Sequence, residues 1–546
     1  MTIFQAEVRP SQQAEQPAWK LDWLTPTRCR LILVLFLLLD VVGHVRYLTH
    51  DCPIDLAGDE AQYWDWSRQL DWSYYSKGPL VAYIIRASCA LFGNTMPAVR
   101  YPAIVFAAGT SIVTYLLTRK LFGSERLALG AVLLNHLVPM FVAGSVLMTI
   151  DPPMFFCWAL ATYFAAVTIF DDKSWAWPLV GLALGIGFLA KYATLLWFGG
   201  LVLFMVLDPL NRGSTELAEV KRRAKVGALL ALAIALCMTV PVVVWNAQHG
   251  WVSFRHVAHQ TGASGGSFSH GNFPEFIASQ IGAVGPILFV MMAIAVVHAF
   301  RNDSSQRQKL VFLASIGVFF FALTLITSLF AKVQVNWPAP AYFTLMILTA
   351  HFLGTRLQSA RRWRIWRGWF WATVALGLIV TPIAHDSSVL FPIARRTRIN
   401  PANVDLLGRL RGWKLLGDHV SAKLDQLGPG AFVLCDDYMQ TAETAFYVKG
   451  QPKTYYAGSY YADSKRYTQY DMWPELQLDN PQLVGRNAVY VGKGGPVPVD
   501  IAKAFDRLEP LPELPVVVRG VTVRTFKTWL GYGFKGMPRP GGLKDY

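Results

Sequence analysis

A stretch rich in acidic and aromatic residues, GDEAQYWDWSRQLDWSYYSKGPL at residues 58–80, holds the first candidates for chemistry. If this stretch is helical, Asp59 and Tyr63 share one face because they are four residues apart, whereas Glu60 points elsewhere. An ionised carboxylate can take a proton from an attacking hydroxyl group. We therefore single out Asp59 as a candidate base with Glu60 beside it, and Tyr63 and Tyr75 as candidates for substrate contact. The alternative is an interfacial belt of Trp and Tyr residues with solvated acids.

Two further charged residues lie among long apolar runs. Asp151 precedes two prolines in MTIDPPMFFCW, where it could contact a substrate or only cap the start of a helix. Lys191 lies in GLALGIGFLAKYATLL, where an ammonium group needs a partner, a route to water, or an anion such as a phosphate. The sequence leaves these alternatives open.

Two more polar stretches contribute candidates. WVSFRHVAHQTG carries Arg255, a candidate for binding phosphate, together with His256 and His259. These histidines have no matching set of acids or cysteines, which makes a metal site there a weak signal. KVQVNWPAPAY contributes Asn336 as a candidate for substrate binding. No cofactor is certain from these patterns, and a divalent cation remains an open alternative.

The composition shows which kind of fold must position these residues. Hydrophobic residues make up 53% of the 546-residue chain and charged residues 16%, against roughly 25% charged residues in soluble domains. Apolar runs near membrane-spanning length recur from Leu31 to about Ile383. The chain is therefore predicted to be a polytopic membrane protein, built mainly from α-helices, and a soluble globule is excluded.

The chain has a formal net charge of +15, which would suit either nucleic acid or a membrane surface. The placement of the basic residues decides between these two partners. The basic residues cluster in short loops between apolar runs, as in the stretch from Arg356 to Arg367. Cytoplasmic loops of membrane proteins have this pattern. We therefore expect the lipid bilayer, and no nucleic acid, as the partner of these charges.

The same rule predicts the layout of the chain across the membrane. Residues 1–30 form a cytoplasmic segment, and residues 31–386 form a membrane domain with external loops at 49–78 and 245–280. The number of crossings is 11 or 13, because two segments between residues 78 and 150 are ambiguous. Either odd number places the two ends of the chain on opposite sides.

The composition changes towards the C-terminus. GAFVLCDDYM (430–439), NAVYVGKG (487–494) and VVVRGVTVRTF (516–526) are short runs rich in β-forming residues. A helix-like stretch from Val404 to Leu427 precedes them. We predict an α/β extracytoplasmic domain at residues 387–546. Its tyrosine-rich stretch at 455–470 could bind carbohydrate or simply pack.

The order of these segments is specific. GDEAQYW, YYSKGPL, TIDPPMFFCWAL, GLALGIGFLAKYATLL and QVNWPAPAY follow one another over about 300 residues. This order resembles the bacterial family-39-type glycosyltransferases of the GT-C superfamily, relatives of protein O-mannosyltransferases and of the lipid A aminoarabinose transferase. The resemblance extends more loosely into GWKLLGDHV, ETAFYVKGQP and QYDMWP. It implies a GT-C-type membrane helix bundle.

The resemblance also implies an activity. A sugar would pass from a polyprenyl-phosphate donor to a hydroxyl of an envelope lipid, glycan or protein, usually with inversion, at the outer face of the inner membrane. The acid of the family's first external loop falls on Asp59, and its following basic residue falls on Lys77. Lys77 and Lys191 are then candidates for the donor phosphate, and Asp151 for the acceptor or a cation.

The chain departs from the family pattern in one place. Relatives often carry a second carboxylate where this chain has Ser76, and a proline where it has Gly78, so the resemblance leaves metal dependence open. The alternative function is a transporter or flippase of a lipid-linked substrate without glycosyl transfer. A transporter explains the apolar runs and Lys191, but not the acidic and aromatic loop. The sequence names neither the sugar nor the acceptor.

Overall fold

A computed structural model describes residues 22–50, 52–207, 215–262, 271–358, 363–462 and 467–539. The chain is mainly α-helical, with a small sheet in its C-terminal part. This confirms the predicted fold class, a helical membrane protein with an α/β domain at its C-terminal end. Most of the predicted N-terminal segment 1–30 lies outside the described residues.

The helices of the membrane domain differ widely in length. They are α1 (Pro26–Thr49), α2 (Gly58–Ser67), α3 (Leu80–Phe92), α4 (Met96–Phe122), α5 (Glu125–Asn135), α6 (Pro139–Gly144), α7 (Asp151–Asp171), α8 (Trp177–Ala190), α9 (Trp197–Leu207), α10 (Thr215–Gln248), α11 (Val252–Gln260), α12 (Phe273–Val284), α13 (Pro286–Arg301), α14 (Arg307–Thr327), α15 (Ala339–Gln358) and α16 (Trp363–His385). The C-terminal domain adds α17 (Phe391–Arg396), α18 (Trp413–Leu427), α19 (Tyr438–Tyr447) and α20 (Val499–Lys503).

Six helices within the described residues are individually long and apolar enough to cross a membrane: α1, α4, α7, α10, α14 and α16. Helices α12 and α13 pass the same test only as a pair, bent by 100° at the break between them. Shorter apolar helices, among them α3, fall below the length of a full crossing. The total number of crossings stays a prediction.

Ion pairs mark one end of the bundle. Arg30 at the start of α1 bonds Glu125 at the start of α5, with 2.6 Å between Nη2 and Oε1. Lys120, near the end of α4, pairs with Asp171 at the end of α7. The start of α1 and the ends of α4 and α7 therefore share one charged end, as expected of cytoplasmic loops.

Contacts at the opposite end bear on the two ambiguous segments at 78–150. Leu48 at the end of α1 packs in one cluster with Ile104 on α4 and Val146 just after α6. Since α1 ends where α4 begins, α3 does not cross between them. Since α5 begins at the charged end and α6 leads to the opposite end, the two helices make one broken passage. These two segments match the alternative with 11 crossings rather than the one with 13.

The C-terminal domain is built on a six-stranded sheet. Its strands are β1 (Phe432–Cys435), β2 (Thr454–Tyr456), β3 (Ala488–Gly492), β4 (Phe505–Pro510), β5 (Leu514–Val518) and β6 (Val521–Phe534). The order is β2-β1-β3-β6-β4, and β5 also pairs with β6. Strands β1, β2 and β3 are parallel, whereas β6 is antiparallel to its neighbours. The three predicted β-rich runs are confirmed as strands.

The structure corrects one prediction for this domain and favours one of two alternatives for a second stretch. The helix-like stretch at 404–427 is helical only from Trp413, because Gly412, with a φ of 86°, ends the irregular segment before it. Most of the tyrosines at 455–470 that the structure describes point into the core, since Tyr455, Tyr460 and Tyr470 are all buried. These tyrosines pack rather than present their rings to a ligand.

The C-terminal domain is docked on the first external loop. Helix α19 packs along α2, and both belong to one apolar cluster that also contains residues of α3. Gly58, the first residue of α2, permits this approach, because a Cβ there would lie 2.6 Å from the Cβ of Met439. The domain therefore helps to hold α2, which carries Asp59.

Candidate active site

Helix α2 forms as the sequence predicted and places Asp59 and Tyr63 one turn apart. The acids of its first turn suit the positive end of the helix dipole. Asp59 is exposed, whereas Tyr63 is buried. Burial raises the pKa of the Tyr63 hydroxyl well above its usual value, and the charges of Asp59 and Asp151 raise it further. Tyr63 therefore lies within electrostatic reach of both carboxylates.

Glu60, paired with Asp59 as a catalytic candidate, instead has a structural position. It is fully buried, and its Oε2 accepts a hydrogen bond from Nη2 of Arg100 at 2.7 Å. The same carboxylate accepts hydrogen bonds from the backbone N–H groups of Ala57, at 2.9 Å, and of Met148, at 2.8 Å. Glu60 thus ties α2 to α4 and to the segment before α7. Its oxygens are occupied, and we no longer assign it a part in the chemistry.

Asp151 joins two other predicted residues. Its Oδ1 lies 2.7 Å from Nζ of Lys191, and its Oδ2 accepts a hydrogen bond from Nδ2 of Asn336, also at 2.7 Å. Asp151 is the first residue of α7, Lys191 follows the last residue of α8, and Asn336 precedes α15. All three are at most partly exposed. The Asp151 side chain therefore bonds other side chains, and Lys191 has a partner.

Lys77 lies in the same electrostatic neighbourhood. Burial lowers the pKa of its ammonium group below 10.5. The negative charges of Asp59 and Asp151 act to raise that pKa, and the positive charge of Lys191 acts to lower it. The next residue, Gly78, explains the proximity, since a Cβ there would lie 2.2 Å from the backbone oxygen of Leu189. The departure from the family's proline thus lets the Lys77 segment lie directly on the end of α8.

Tyr75 contacts helix α11, the helix that also carries Arg255. The ring of Tyr75 lies 5.0 Å from that of His256, and its backbone N–H donates to Oε1 of Gln469 at 2.6 Å. Helix α11, which carries Arg255 and His256, is fixed to this loop by Ser253, whose hydroxyl donates to the backbone oxygen of Tyr74 at 2.8 Å. Arg255 is exposed on that helix, close in the chain to the Tyr75 contact.

Within the described ranges, no group of three His, Cys, Asp or Glu residues is arranged to hold a metal ion. Both oxygens of Asp151 are bonded to protein side chains, and Ser76 supplies no carboxylate where relatives often have one. We therefore derive no step that uses a divalent cation.

A large cavity opens beside these residues inside the bundle. It has a volume of about 1230 Å³, and Asp151, Pro152 and Phe155 form part of its wall. Most of the remaining lining is apolar and comes from α1, α4, α5, α15 and α16. A cavity of this size with a mostly apolar wall can take a long hydrocarbon group.

Sequence reasoning missed two contributors to this site. Arg100 lies in a helix that reads as an ordinary apolar span, and only the structure shows its pairing with Glu60. Met439 belongs to the C-terminal domain, far along the chain from α2, yet it covers the first turn of that helix. The sequence signal for that contact is a glycine, Gly58, directly before the acid. A charged residue in an apolar helix, such as Arg100, is the other signal.

Sequence comparison gives relatives of known activity. Residues 76–245 match the family model described as dolichyl-phosphate-mannose-protein mannosyltransferase. The lipid A galacturonosyltransferase of Rhizobium johnstonii is 31% identical over 348 residues, which cover 62% of this chain and 66% of that protein. An undecaprenyl phosphate-α-4-amino-4-deoxy-L-arabinose arabinosyl transferase of Pseudomonas aeruginosa is 29% identical over 178 residues, or 30% and 32% of the two chains. This chain thus spans just under two thirds of the first relative and about a third of the second.

Structural comparison gives the fold. The crystal structure of ArnT from Cupriavidus metallidurans in the apo state aligns with a TM-score of 0.59 and 14% identity, covering 92% of this chain and 98% of that one. The structure of the same protein bound to undecaprenyl phosphate aligns equally well, with 16% identity. The two proteins share one fold over nearly their whole lengths.

Proposed function

Since the chain belongs to the GT-C superfamily of membrane glycosyltransferases, we propose that it transfers a sugar from a polyprenyl-phosphate carrier to a hydroxyl group of lipid A. The observation that carries this proposal is the convergence of four charged side chains. Asp59, Lys77, Asp151 and Lys191 come from separate segments and act on one another's charges. Two carboxylates and two ammonium groups, of which Asp151 also lines a large cavity, suit this reaction.

The two lysines are proposed to hold the donor phosphate. As the bond between the anomeric carbon and the phosphate oxygen breaks, the electron pair leaves with the phosphate, and nearby positive charge stabilises it. Lys191 uses one of its three donors on Asp151, which leaves donors for a phosphate oxygen. Asp151 and Asn336 then position Lys191 instead of binding the acceptor directly. Arg255, on α11, is a further candidate for the phosphate.

Asp59 is proposed as the base. The acceptor hydroxyl attacks the anomeric carbon from the face opposite the phosphate, its oxygen forms the new glycosidic bond, and its proton passes to the Asp59 carboxylate. Inversion follows from this geometry. Tyr63, one turn away on α2, and Tyr75 are proposed to contact the substrates. The exposed position of Asp59 suits a base that must meet an acceptor arriving from outside.

The cavity of about 1230 Å³ is proposed to hold part of the polyprenyl chain. Its wall includes Asp151, so a lipid lying in it would present its phosphate close to Lys191. The structure of ArnT from Cupriavidus metallidurans bound to undecaprenyl phosphate supports this class of carrier. Lipid A as the acceptor is supported by the Rhizobium relative, a lipid A galacturonosyltransferase.

The test is an assay with the purified full chain in detergent. Undecaprenyl phosphate carrying galacturonic acid or 4-amino-4-deoxy-L-arabinose is supplied together with lipid A. The mass of the lipid A acceptor is then measured by mass spectrometry. We expect a mass increase of one sugar unit together with release of undecaprenyl phosphate. Movement of the donor across sealed vesicles, with no glycosidic product from any donor, would instead support the transporter alternative.

We also propose an orientation in the inner membrane, with the N-terminus in the cytoplasm and the C-terminal domain in the periplasm. The basic residues Arg30 and Lys120 at the charged end of the bundle support it. The test uses single cysteines, Lys173→Cys and Lys414→Cys, in a chain whose own cysteines are replaced by serine. An impermeant thiol reagent should label the second variant in spheroplasts, and the first only after permeabilisation. The reverse pattern would contradict the orientation.

A further inference from the structure

A second polar pocket lies between the far end of α2 and the C-terminal domain. Its volume is about 270 Å³, near the lower limit of about 300 Å³ for ligand sites. It is separated from Asp59 along α2 by about six residues, or about 9 Å of helix. One face comes from α2 and the segment after it, and the other from the segments around β2 and Trp473. The polar and aromatic residues of its lining are Asp65, Arg68, Gln69, Lys453, Thr454, Trp473 and Glu475.

The side chains that α2 contributes to the pocket are held in place by hydrogen bonds to neighbouring residues. Asp65 is buried; its Oδ2 accepts a hydrogen bond from the hydroxyl of Tyr470 at 2.9 Å, and its Oδ1 accepts one from Arg68 at 3.2 Å. Arg68 also donates to the backbone oxygen of Gln451 at 3.1 Å and lies 5.0 Å from the ring of Trp64. A ligand would therefore meet donors and acceptors whose positions are already set.

The opposite side is polar and balanced in charge. Oε1 of Glu475 accepts a hydrogen bond from Nε2 of Gln69 at 2.7 Å and lies 3.5 Å from Nζ of Lys453. With Arg68 and Asp65, the pocket holds two cations and two carboxylates. The charges cancel, so the pocket favours neither a phosphate nor an amine. Alternating donors and acceptors without net charge suit a ligand rich in hydroxyl groups.

Trp473 adds an aromatic surface to this polar ring. It lines the pocket and packs edge-on to the ring of Tyr470, with 5.6 Å between the ring centroids. Both residues belong to QYDMWP at 469–474, of which the proposed transfer site uses only the contact of Gln469 with Tyr75. An aromatic ring beside paired donors and acceptors offers both a flat apolar contact and directional hydrogen bonds.

We propose that this pocket binds a sugar unit of the acceptor that is not the unit receiving the transferred sugar. The proposal rests on the proposed function, since it makes the pocket a second contact for the same acceptor. The volume suits one sugar ring and excludes an acyl chain bundle. Because α2 carries both Asp59 and Asp65, a sugar held here fixes the acceptor relative to the base. The pocket thus selects a glycan-bearing acceptor over a polypeptide.

The first test measures transfer by the full chain with Lys453→Ala and with Glu475→Gln. Both side chains are substantially exposed, so the fold should tolerate the changes. We expect KM for the acceptor to rise about tenfold, as for the loss of one or two hydrogen bonds, with kcat and the donor KM within about twofold of wild type. The matched control is Lys414→Ala, which removes another exposed lysine–carboxylate pair in the same domain. It should leave all three constants unchanged.

The second test needs no transfer. Fully deacylated lipid A, which keeps the sugars but no acyl chains, is added to the full chain, and hydrogen–deuterium exchange is followed. We expect slower exchange at residues 451–456 and 473–477 in the wild type and no slowing in Glu475→Gln. An unchanged acceptor KM in both pocket variants, or no slowing in the wild type, would overturn the proposal. Because exchange is read without a donor, failure of the proposed function would leave this result interpretable.

Discussion

The ammonium group of Lys191 lies 2.7 Å from Oδ1 of Asp151, and this ion pair joins the end of α8 to the start of α7. Each residue alone has an ordinary explanation in the sequence, as a helix cap or as a lysine reaching for water. Their pairing gives each a further role, because the Asp151 carboxylate, which lines the cavity, is bonded by the side chains of Lys191 and Asn336. We propose that the ammonium group held there also meets the donor phosphate.

We predict that Lys191→Met lowers kcat/KM about 100-fold, the scale of losing one preorganised donor to a developing negative charge. The change also leaves Asp151 without its cation, so the thermal midpoint should fall as well. In the double variant Lys191→Met/Asp151→Asn the midpoint should recover while kcat/KM stays low. Lys173→Met, which alters an exposed lysine between α7 and α8, is the control. Recovery of activity in the double variant would mean that Lys191 has only a structural role.

Gly78→Ala should separate the Lys77 segment from α8, because the new Cβ would lie 2.2 Å from the backbone oxygen of Leu189. Neither backbone can yield as a flexible side chain could. Displacement by about 1 Å at a catalytic site can cost about 100-fold in rate, and we expect a loss of that size in kcat/KM. Gly282→Ala, in α12 and outside the cavity lining, is the matched control, since no atom lies within 4 Å of its added Cβ. Equal activity of the two variants would show that the Gly78 contact does not position Lys77.

Glu60→Gln tests the structural position of Glu60. The substitution leaves Arg100 buried without its countercharge, which typically costs about 3–5 kcal/mol. We expect a clearly lower thermal midpoint in detergent. Glu513→Gln, which breaks an exposed pair with Lys527, should cost less than about 1 kcal/mol. A stable but inactive Glu60→Gln protein would instead return Glu60 to the catalytic group.

The pKa of Lys77 predicts a pH dependence for donor binding. Below its pKa the ammonium is charged and can hold phosphate, so affinity for undecaprenyl phosphate should fall as pH rises through a value below 10.5. Asp59→Asn removes a carboxylate that raises this pKa and should move the fall to lower pH. Lys191→Met removes a cation that lowers it and should move the fall to higher pH. Isothermal titration across pH measures both shifts, and shifts of the opposite sign would contradict the arrangement.

Much of this structure could be predicted from local patterns in the sequence. The acidic turn before Tyr63 predicted α2, and the β-rich runs predicted four of the six strands, because helix and strand periodicity act within a few residues. Asp59, Asp151 and Lys191 were found from the cost of placing charge among apolar residues. The strands at 454–456 and 505–510 were missed; the first is only three residues long, and the second is mostly polar.

Contacts between residues that are far apart in the sequence could not be predicted from local patterns. Nothing local distinguishes Glu60 from Asp59, yet one is locked to Arg100 and the other is exposed. The difference depends on which face of α2 meets α4, and packing of separate helices decides that. Gly78 looked like a departure from a family pattern, and only the distance to Leu189 shows why a small residue is required. Tertiary contacts therefore separated the structural acid from the proposed base.

The most direct measurement is single-turnover sugar transfer by the purified full chain with Asp59→Asn, beside undecaprenyl phosphate binding at about pH 7. The asparagine side chain keeps the size of the aspartate but cannot accept the proton of the acceptor hydroxyl. The account predicts a loss of about 1,000-fold in the transfer rate, within the range of a general base, with carrier affinity changed only a few-fold. Transfer by Asp59→Asn at the wild-type rate would contradict it.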